Sequence, residues 1–210
     1  MLYIGRHRKR TAGAVRFLSN LCFFSPEEET AEEDHVHYAE EQEQDDAIVE
    51  VKKEQLAELE QIAENVEALA EKQNIGEQVD VDFNGQYVSI TLNGALLFDS
   101  GSAEVKEDAK KVLDKVALIL TKYREHIIEI EGHTDNVPIH TAKFSDNNEL
   151  SSFRALSVFN YLLEVSELDP ATLKHSGRGE YVPIADNSNA EGRMRNRRVE
   201  IKIYSNILNE

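Results

Sequence analysis

Cysteine is almost absent. Cys22 is the single one in 210 residues, so no disulfide can close within the chain and no thiolate metal cluster can be built. Tryptophan is missing altogether, which carries no functional meaning. Basic residues are scarce, 23 Lys and Arg against 40 Asp and Glu, for a formal net charge of -17. Phosphate binding needs a basic footprint, and this balance argues against nucleic acid as a partner. Long apolar runs are missing too. Nothing approaches the roughly 18 to 20 consecutive apolar residues that span a bilayer. The semi-apolar stretch from Ala12 to Phe24 is interrupted by Arg16, Ser19 and Asn20 and has no Ala-x-Ala cleavage site. Ser19-Asn20-Leu21-Cys22 lacks the small residue that a lipoprotein box places before its Cys. There is no HExxH, Walker A, dinucleotide Gly pattern or nucleophile elbow, so neither catalysis nor a cofactor is expected.

What is present is unevenly spread. Residues 27–80 hold 20 Asp and Glu against 3 Lys and Arg, while residues 1–26 carry five basic groups and no acid. Residues 1–26 are left unassigned, a basic and semi-apolar N-terminus. Residues 27–50 are expected to be an acidic, disordered linker, because like charges extend it and few large apolar groups are available to bury. His35 and His37 lie there, and this His-x-His pair is read as part of a solvated tail. Over 51–76 a helical period appears: Leu59, Ile62, Val66 and Leu69 share a face, and Gly76 is placed to stop the helix. Such a helix packs on the following domain or pairs with a second copy of the chain, so a homodimer is expected.

From residue 77 the period becomes two. Val79, Val81 and Phe83 alternate, Asn84-Gly85 is a type I′ hairpin signal, and Tyr87 to Leu92 returns as the partner strand. Helix is expected from about Val105 to Tyr123, a strand over Ile127–Gly132, and a loop over Asn136–Asn148. A second long helix runs from about Glu149 to Val165, with short strands at Leu173–Gly177 and Val199–Tyr204. Strands alternating with helices after an opening hairpin make an α/β (α+β) two-layer sandwich with a mixed sheet over 77–210.

The chemistry concentrates between Ile127 and Arg154. A strand ends in Gly132-His133-Thr134-Asp135-Asn136, and a helix brings in Arg154 on its first turns. That arrangement can set a fixed carboxylate, Asp135, beside a fixed guanidinium, Arg154, at the mouth of a sheet. The pair suits a ligand carrying an ammonium and a carboxylate, since an Arg fork grips a carboxylate through two parallel hydrogen bonds. Taken alone, an Asp after a strand is more often a turn former and an Arg early in a helix a salt-bridge partner. His133 is read as a packed strand-end residue. A metal site from His133, Asp135 and His140 lacks a further ligand, so no metal is expected. Arg197 and Arg198, on alternate strand faces, divide between a structural pairing and solvent.

Four motifs occur in a fixed order: Phe98-Asp99-Ser100-Gly101-Ser102-Ala103, Gly132-His133-Thr134-Asp135-Asn136, Leu150-Ser151-Ser152-Phe153-Arg154-Ala155 and Asn196-Arg197-Arg198-Val199-Glu200-Ile201. Together they resemble the OmpA/MotB C-terminal domain family, the peptidoglycan-binding module of bacterial envelopes. The long loop before Leu150 and the run from Gly179 to Arg193 are similar to its flagellar stator (MotB-type) branch. The resemblance implies that Asp135 holds the ammonium, and Arg154 the carboxylate, of the diamino acid in a peptidoglycan stem peptide. It further implies that Thr134, Asn136 and Ser151 line the same groove, with Asn196 beside it. It implies a non-catalytic wall anchor in the cell envelope, outside the cytoplasm, and the MotA stator subunit as partner of a full-length form. The alternative is a general OmpA-like envelope anchor unconnected with motility. Stator proteins of that branch carry a transmembrane helix with an ion-accepting Asp. Residues 1–26 show none, so this chain by itself is not expected to conduct ions.

Overall fold

The computed structural model describes residues 31–207, with side chains from Ile48 onward. The expectations for residues 1–26, and for the side chains of His35 and His37 as part of a solvated tail, lie outside that description. The chain divides into two compact units, residues 1–42 and 43–210. Of the first, only helical backbone from Ala31 is described. The second holds the sheet, the core and the cavity.

Helix α1 (Ala31–Lys72) starts inside the stretch expected to be an extended linker. The reason lies in local preference. The segment has no Gly or Pro and is rich in Ala, Glu, Gln and Leu, whose helix propensities sum over many residues and outweigh the repulsion of like charges one turn apart. The stop signal also differs from expectation, because Asn74 and not Gly76 ends the helix. Asn74 adopts the left-handed conformation (φ 55°). Around it Ile75 N–H donates to Ala70 O at 3.0 Å and Asn74 N–H to Glu71 O at 2.9 Å. This is a Schellman closure, with buried Ile75 as its hydrophobic contact.

Five strands follow: β1 (Val79–Phe83), β2 (Tyr87–Asn93), β3 (Ile128–His133), β4 (Leu173–Gly177) and β5 (Arg198–Tyr204). They form one mixed sheet in the order β1-β2-β5-β3-β4, antiparallel except for the β3–β4 pair. The hairpin between β1 and β2 is real, but its turn is not type I′. Neither Asn84 nor Gly85 has a positive φ, which that turn requires at both central residues. Instead Asn84 Oδ1 accepts from Gln86 N–H (2.8 Å) and Tyr87 N–H (3.1 Å), closing a three-residue loop with a side chain.

The helices are α2 (Gly94–Leu97), α3 (Glu107–Leu120), α4 (Asn147–Val165) and α5 (Ala190–Asn196). The expected two-layer α/β sandwich with a mixed sheet is the fold found. One core joins Val88, Ile90, Leu92, Ile128, Ile130, Val199, Ile201 and Ile203 of the sheet to Leu113 and Leu120 of α3 and Leu162 of α4. Leu59, Ile62 and Val66 of α1 enter the same core, so this helix packs on the domain. Each fully buried side chain of this size stabilises the fold by about 1.5–3 kcal/mol.

The opposite face of β3 and β5 is polar. Lys202 Nζ lies 2.6 Å from Glu131 Oε2, Arg198 Nε lies 2.6 Å from Glu200 Oε1, and His133 sits beneath, 1% exposed. His133 Nε2 is 3.5 Å from Glu131 Oε2 and 3.8 Å from Glu200 Oε2, beyond good hydrogen-bond range. Burial pushes the Glu131 carboxyl up, but His133 and Lys202 together pull it down to about 2. The two carboxylates are thus met by two side-chain cations.

Candidate functional site

The site forms where β3 runs out beside the start of α4. That helix begins two residues before the expected Glu149, through a capping arrangement readable in the sequence as Asp146-Asn147-Asn148-Glu149. Asp146 Oδ1 accepts Glu149 N–H at 2.8 Å, and Glu149 Oε2 accepts Ser145 N–H at 2.6 Å. Close packing brings helix and strand end together. A Cβ at Gly132 would lie 2.1 Å from Ser151 O, so only glycine allows the strand to run this near the helix.

A cavity of about 540 Å³ opens at this corner. Phe98, Asp99 and Gly101 form one wall, Thr134 and Asp135 another, and Val137 to Ile139 a third. Arg154, Arg193 and Arg197 line it as well. The turn beneath Gly101 is left-handed there, φ 68°.

Asp135 and Arg154 both line this cavity, and both are 6% exposed. Arg154 is held from behind: Nε donates to Ser102 O (2.8 Å), Nη2 donates to Asp99 O (3.3 Å), and the guanidinium lies 5.0 Å from the centre of the Phe98 ring. Burial first, then the like charge of Arg197, pulls its pKa down to about 10, with Asp135 acting the other way. It therefore remains a cation at neutral pH. Asp135 does not pair with Arg154. Its Oδ1 accepts Val137 N–H at 3.1 Å and its Oδ2 is engaged by Arg197 Nη1.

Thr134 also lines the cavity. Its N–H donates to Gly179 O at 2.9 Å, and its buried Oγ1 has no hydrogen-bond partner among the described residues. Asn136 is exposed and is not on the lining. Ser151 and Asn196 are fully buried behind the wall. Ser151 Oγ donates to Asn148 O (2.9 Å) and accepts from Gly179 N–H (3.0 Å). Asn196 Oδ1 accepts from Ile184 and Ala185 N–H, and its Nδ2 donates to Ala185 O and Asn187 Oδ1. Both serve the loop after β4.

Two residues of the site went unread in the sequence. Asn147 Nδ2 shares its two N–H groups among Asp135 O (3.2 Å), Val137 O (3.1 Å) and Glu180 Oε2 (2.9 Å), and so pins the loop carrying the carboxylate. Arg193 lines the cavity while its Nη1 donates to Asn187 O (2.8 Å). Of the two adjacent arginines, Arg197 reaches the cavity with a side chain 38% exposed. Arg198 is buried and donates to Glu200 Oε1, Asn196 O and Val182 O.

Glu131, His133 and Glu200 offer ligand atoms within 4.8 Å of one another. Lys202 Nζ lies 2.6 Å from Glu131 Oε2 and 3.5 Å from Glu200 Oε2, where a metal ion would have to sit. The geometry is that of an ion-pair network.

Comparison with known proteins gives a consistent picture. The OmpA family model matches residues 97–197. Motility protein B of Bacillus subtilis is 34% identical over 146 residues, 70% of this chain and 56% of that protein. A MotB-like protein of Desulfovibrio vulgaris has a similar crystal structure, with a TM-score of 0.69 and 28% identity over 73% of this chain and 98% of that one. The cell wall anchor of the T6SS from Pseudomonas aeruginosa follows at a TM-score of 0.61 and 33% identity, covering 66% of this chain and 95% of that one. The chain spans little more than half the length of the curated relatives it matches first.

Proposed function

The chain belongs to the OmpA family, and from that premise we propose that it is a non-catalytic peptidoglycan anchor, clamping the diamino acid of a stem peptide between Asp135 and Arg154. The observation that carries this reading is the cavity itself, which brings a buried carboxylate and a buried, backbone-braced guanidinium to one concave surface. An ammonium and a carboxylate on one small ligand are the complement of that pair, and charge-assisted bonds of this kind are the stronger ones. Residues 77–210 are the wall-binding module in this reading, and α1 is its spacer.

The proposal extends to a flagellar motor stator, on the likeness to Motility protein B. There the anchor keeps a torque-generating unit from being dragged round, with a second copy of this chain and a MotA-type subunit as partners and the extracytoplasmic envelope as the location. No helix among the described residues is long and apolar enough to cross a membrane. A second reading, an envelope anchor outside motility, is favoured by the comparable sequence likeness, 33% identity, to the T6SS cell wall anchor.

The test is co-sedimentation of the full chain with purified peptidoglycan sacculi. Wild type is expected in the pellet. Asp135→Asn and Arg154→Lys, which keep side-chain size and most of the packing, are expected in the supernatant with unchanged circular dichroism. Folded wild type that ignores sacculi of both diaminopimelate and lysine walls would end the anchor reading.

A further inference from the structure

Asp135 is already occupied. Arg197 Nη1 engages its Oδ2, the place where a ligand ammonium has to arrive, while Oδ1 is held by Val137 N–H at 3.1 Å. The backbone of Arg197 is pinned on both sides: its N–H donates to Arg193 O (3.1 Å) and its carbonyl accepts Gly94 N–H (2.8 Å). Its side chain is different, 38% exposed at the cavity and with Asp135 as its only hydrogen-bond acceptor among the described residues. Arg154, 6% exposed, is fixed by two backbone carbonyls and the Phe98 ring. One guanidinium is therefore built in, and the other rests on the very carboxylate that the ligand needs.

We infer that Arg197 is a specificity gate, which yields Asp135 only to a ligand bringing an ammonium and a carboxylate together. The inference rests on the reading of this cavity as a clamp for a zwitterion. A ligand with an ammonium alone must break a charged pair at a nearly buried carboxylate. It then leaves Arg197 without a counterion, facing the like charge of Arg154 across one cavity. A ligand with a carboxylate beside its ammonium replaces what it removes. Its ammonium takes Asp135 while its carboxylate supplies an anion for both guanidiniums, and an Arg fork suits such an exchange. Recognition of the two ligand charges is then coupled through one side chain. Selection against simple amines follows from the unpaired cation they create.

Titration calorimetry on the full chain reads this coupling, with meso-diaminopimelate and 1,5-diaminopentane as probes. Both carry two ammonium groups on the same carbon chain length between nitrogens, and only the first carries carboxylates. Wild type is expected to prefer diaminopimelate, and Arg197→Gln is expected to lower that preference about tenfold or more, chiefly because diaminopentane gains a free Asp135. Arg197→Lys, which keeps the charge and loses the fork, is expected between the two. An unchanged preference in Arg197→Gln overturns the gate. A second readout needs no variant: in the wild type the Arg197 side-chain Nε–H resonance is expected to shift with diaminopimelate and to stay with diaminopentane. The same shift with both, or with neither, overturns it too. Wild type that binds neither diaminopimelate nor sacculi removes the clamp reading and the gate together. Wild type that binds diaminopimelate with a preference indifferent to Arg197 removes the gate alone.

Discussion

Glu131 shows how a single residue can be held charged in a buried place. Its carboxyl is pushed up by burial and pulled down further by His133 and Lys202, to about 2 from an ordinary value of 4.5. A depressed carboxyl contributes stability above its unfolded pKa, and that contribution disappears as pH falls through the folded value. Glu131→Gln is therefore expected to lower the melting temperature at pH 7. The gap from wild type is expected to close between about pH 4.5 and pH 2, the window bounded by the two pKa values. A gap that persists below that window would assign the effect to packing. The same scale explains why some site residues were legible and others were not. Asp135 and Arg154 stand in recognisable local motifs at a strand end and a helix start. Arg197 stands in one too, yet its pairing with a carboxylate 62 residues earlier in the chain is set by how the end of α5 meets the end of β3. No spacing rule carries that information.

At the scale of elements, helix ends tell more than helix interiors. The interior of α1 follows from propensity and from the stripe of Leu59, Ile62 and Val66. Its end is decided by Asn74, which takes a left-handed conformation that costs an ordinary L-residue about 1–2 kcal/mol. Asn74→Ala is expected to lower stability by about that amount, and Asn74→Gly to cost little, as read from urea midpoints. Equal effects of Ala and Gly would show that the side chain of Asn74, and not its backbone angle, ends the helix. The hairpin makes the complementary point. Asn84-Gly85 announces a turn correctly, but the side chain of Asn84 closes a longer loop in place of the type I′ geometry. Composition marks the turn, and strand register chooses its type.

For the molecule as a whole, the described side chains of α1 divide into those that the core uses and those that it does not. Leu59, Ile62, Val66 and Ala70 are buried, whereas Ile48 and Val49 are more than half exposed. Removing residues 1–50 gives the reference truncation, against which a longer one is read. Removing residues 1–72 deletes several buried side chains worth about 1.5–3 kcal/mol each, against a total stability of about 5–15 kcal/mol. The longer truncation is expected to lower the midpoint sharply or to abolish cooperative unfolding. Indifference to the loss of residues 51–72 would show that α1 is dispensable to the core.

The sequence by itself determined what is local. It specified alternation in the strands, the apolar stripes of the helices, the turn that presents Asp135 and the helix that carries Arg154, because each depends on residues a few positions apart. Only the tertiary structure decided the strand order β1-β2-β5-β3-β4, which places the last strand in the middle of the sheet. That long-range pairing brings the start of β5 beside the end of β3, with His133 opposite Arg198. It thereby sets Arg197 on Asp135 and turns two separate motifs into one charged cavity.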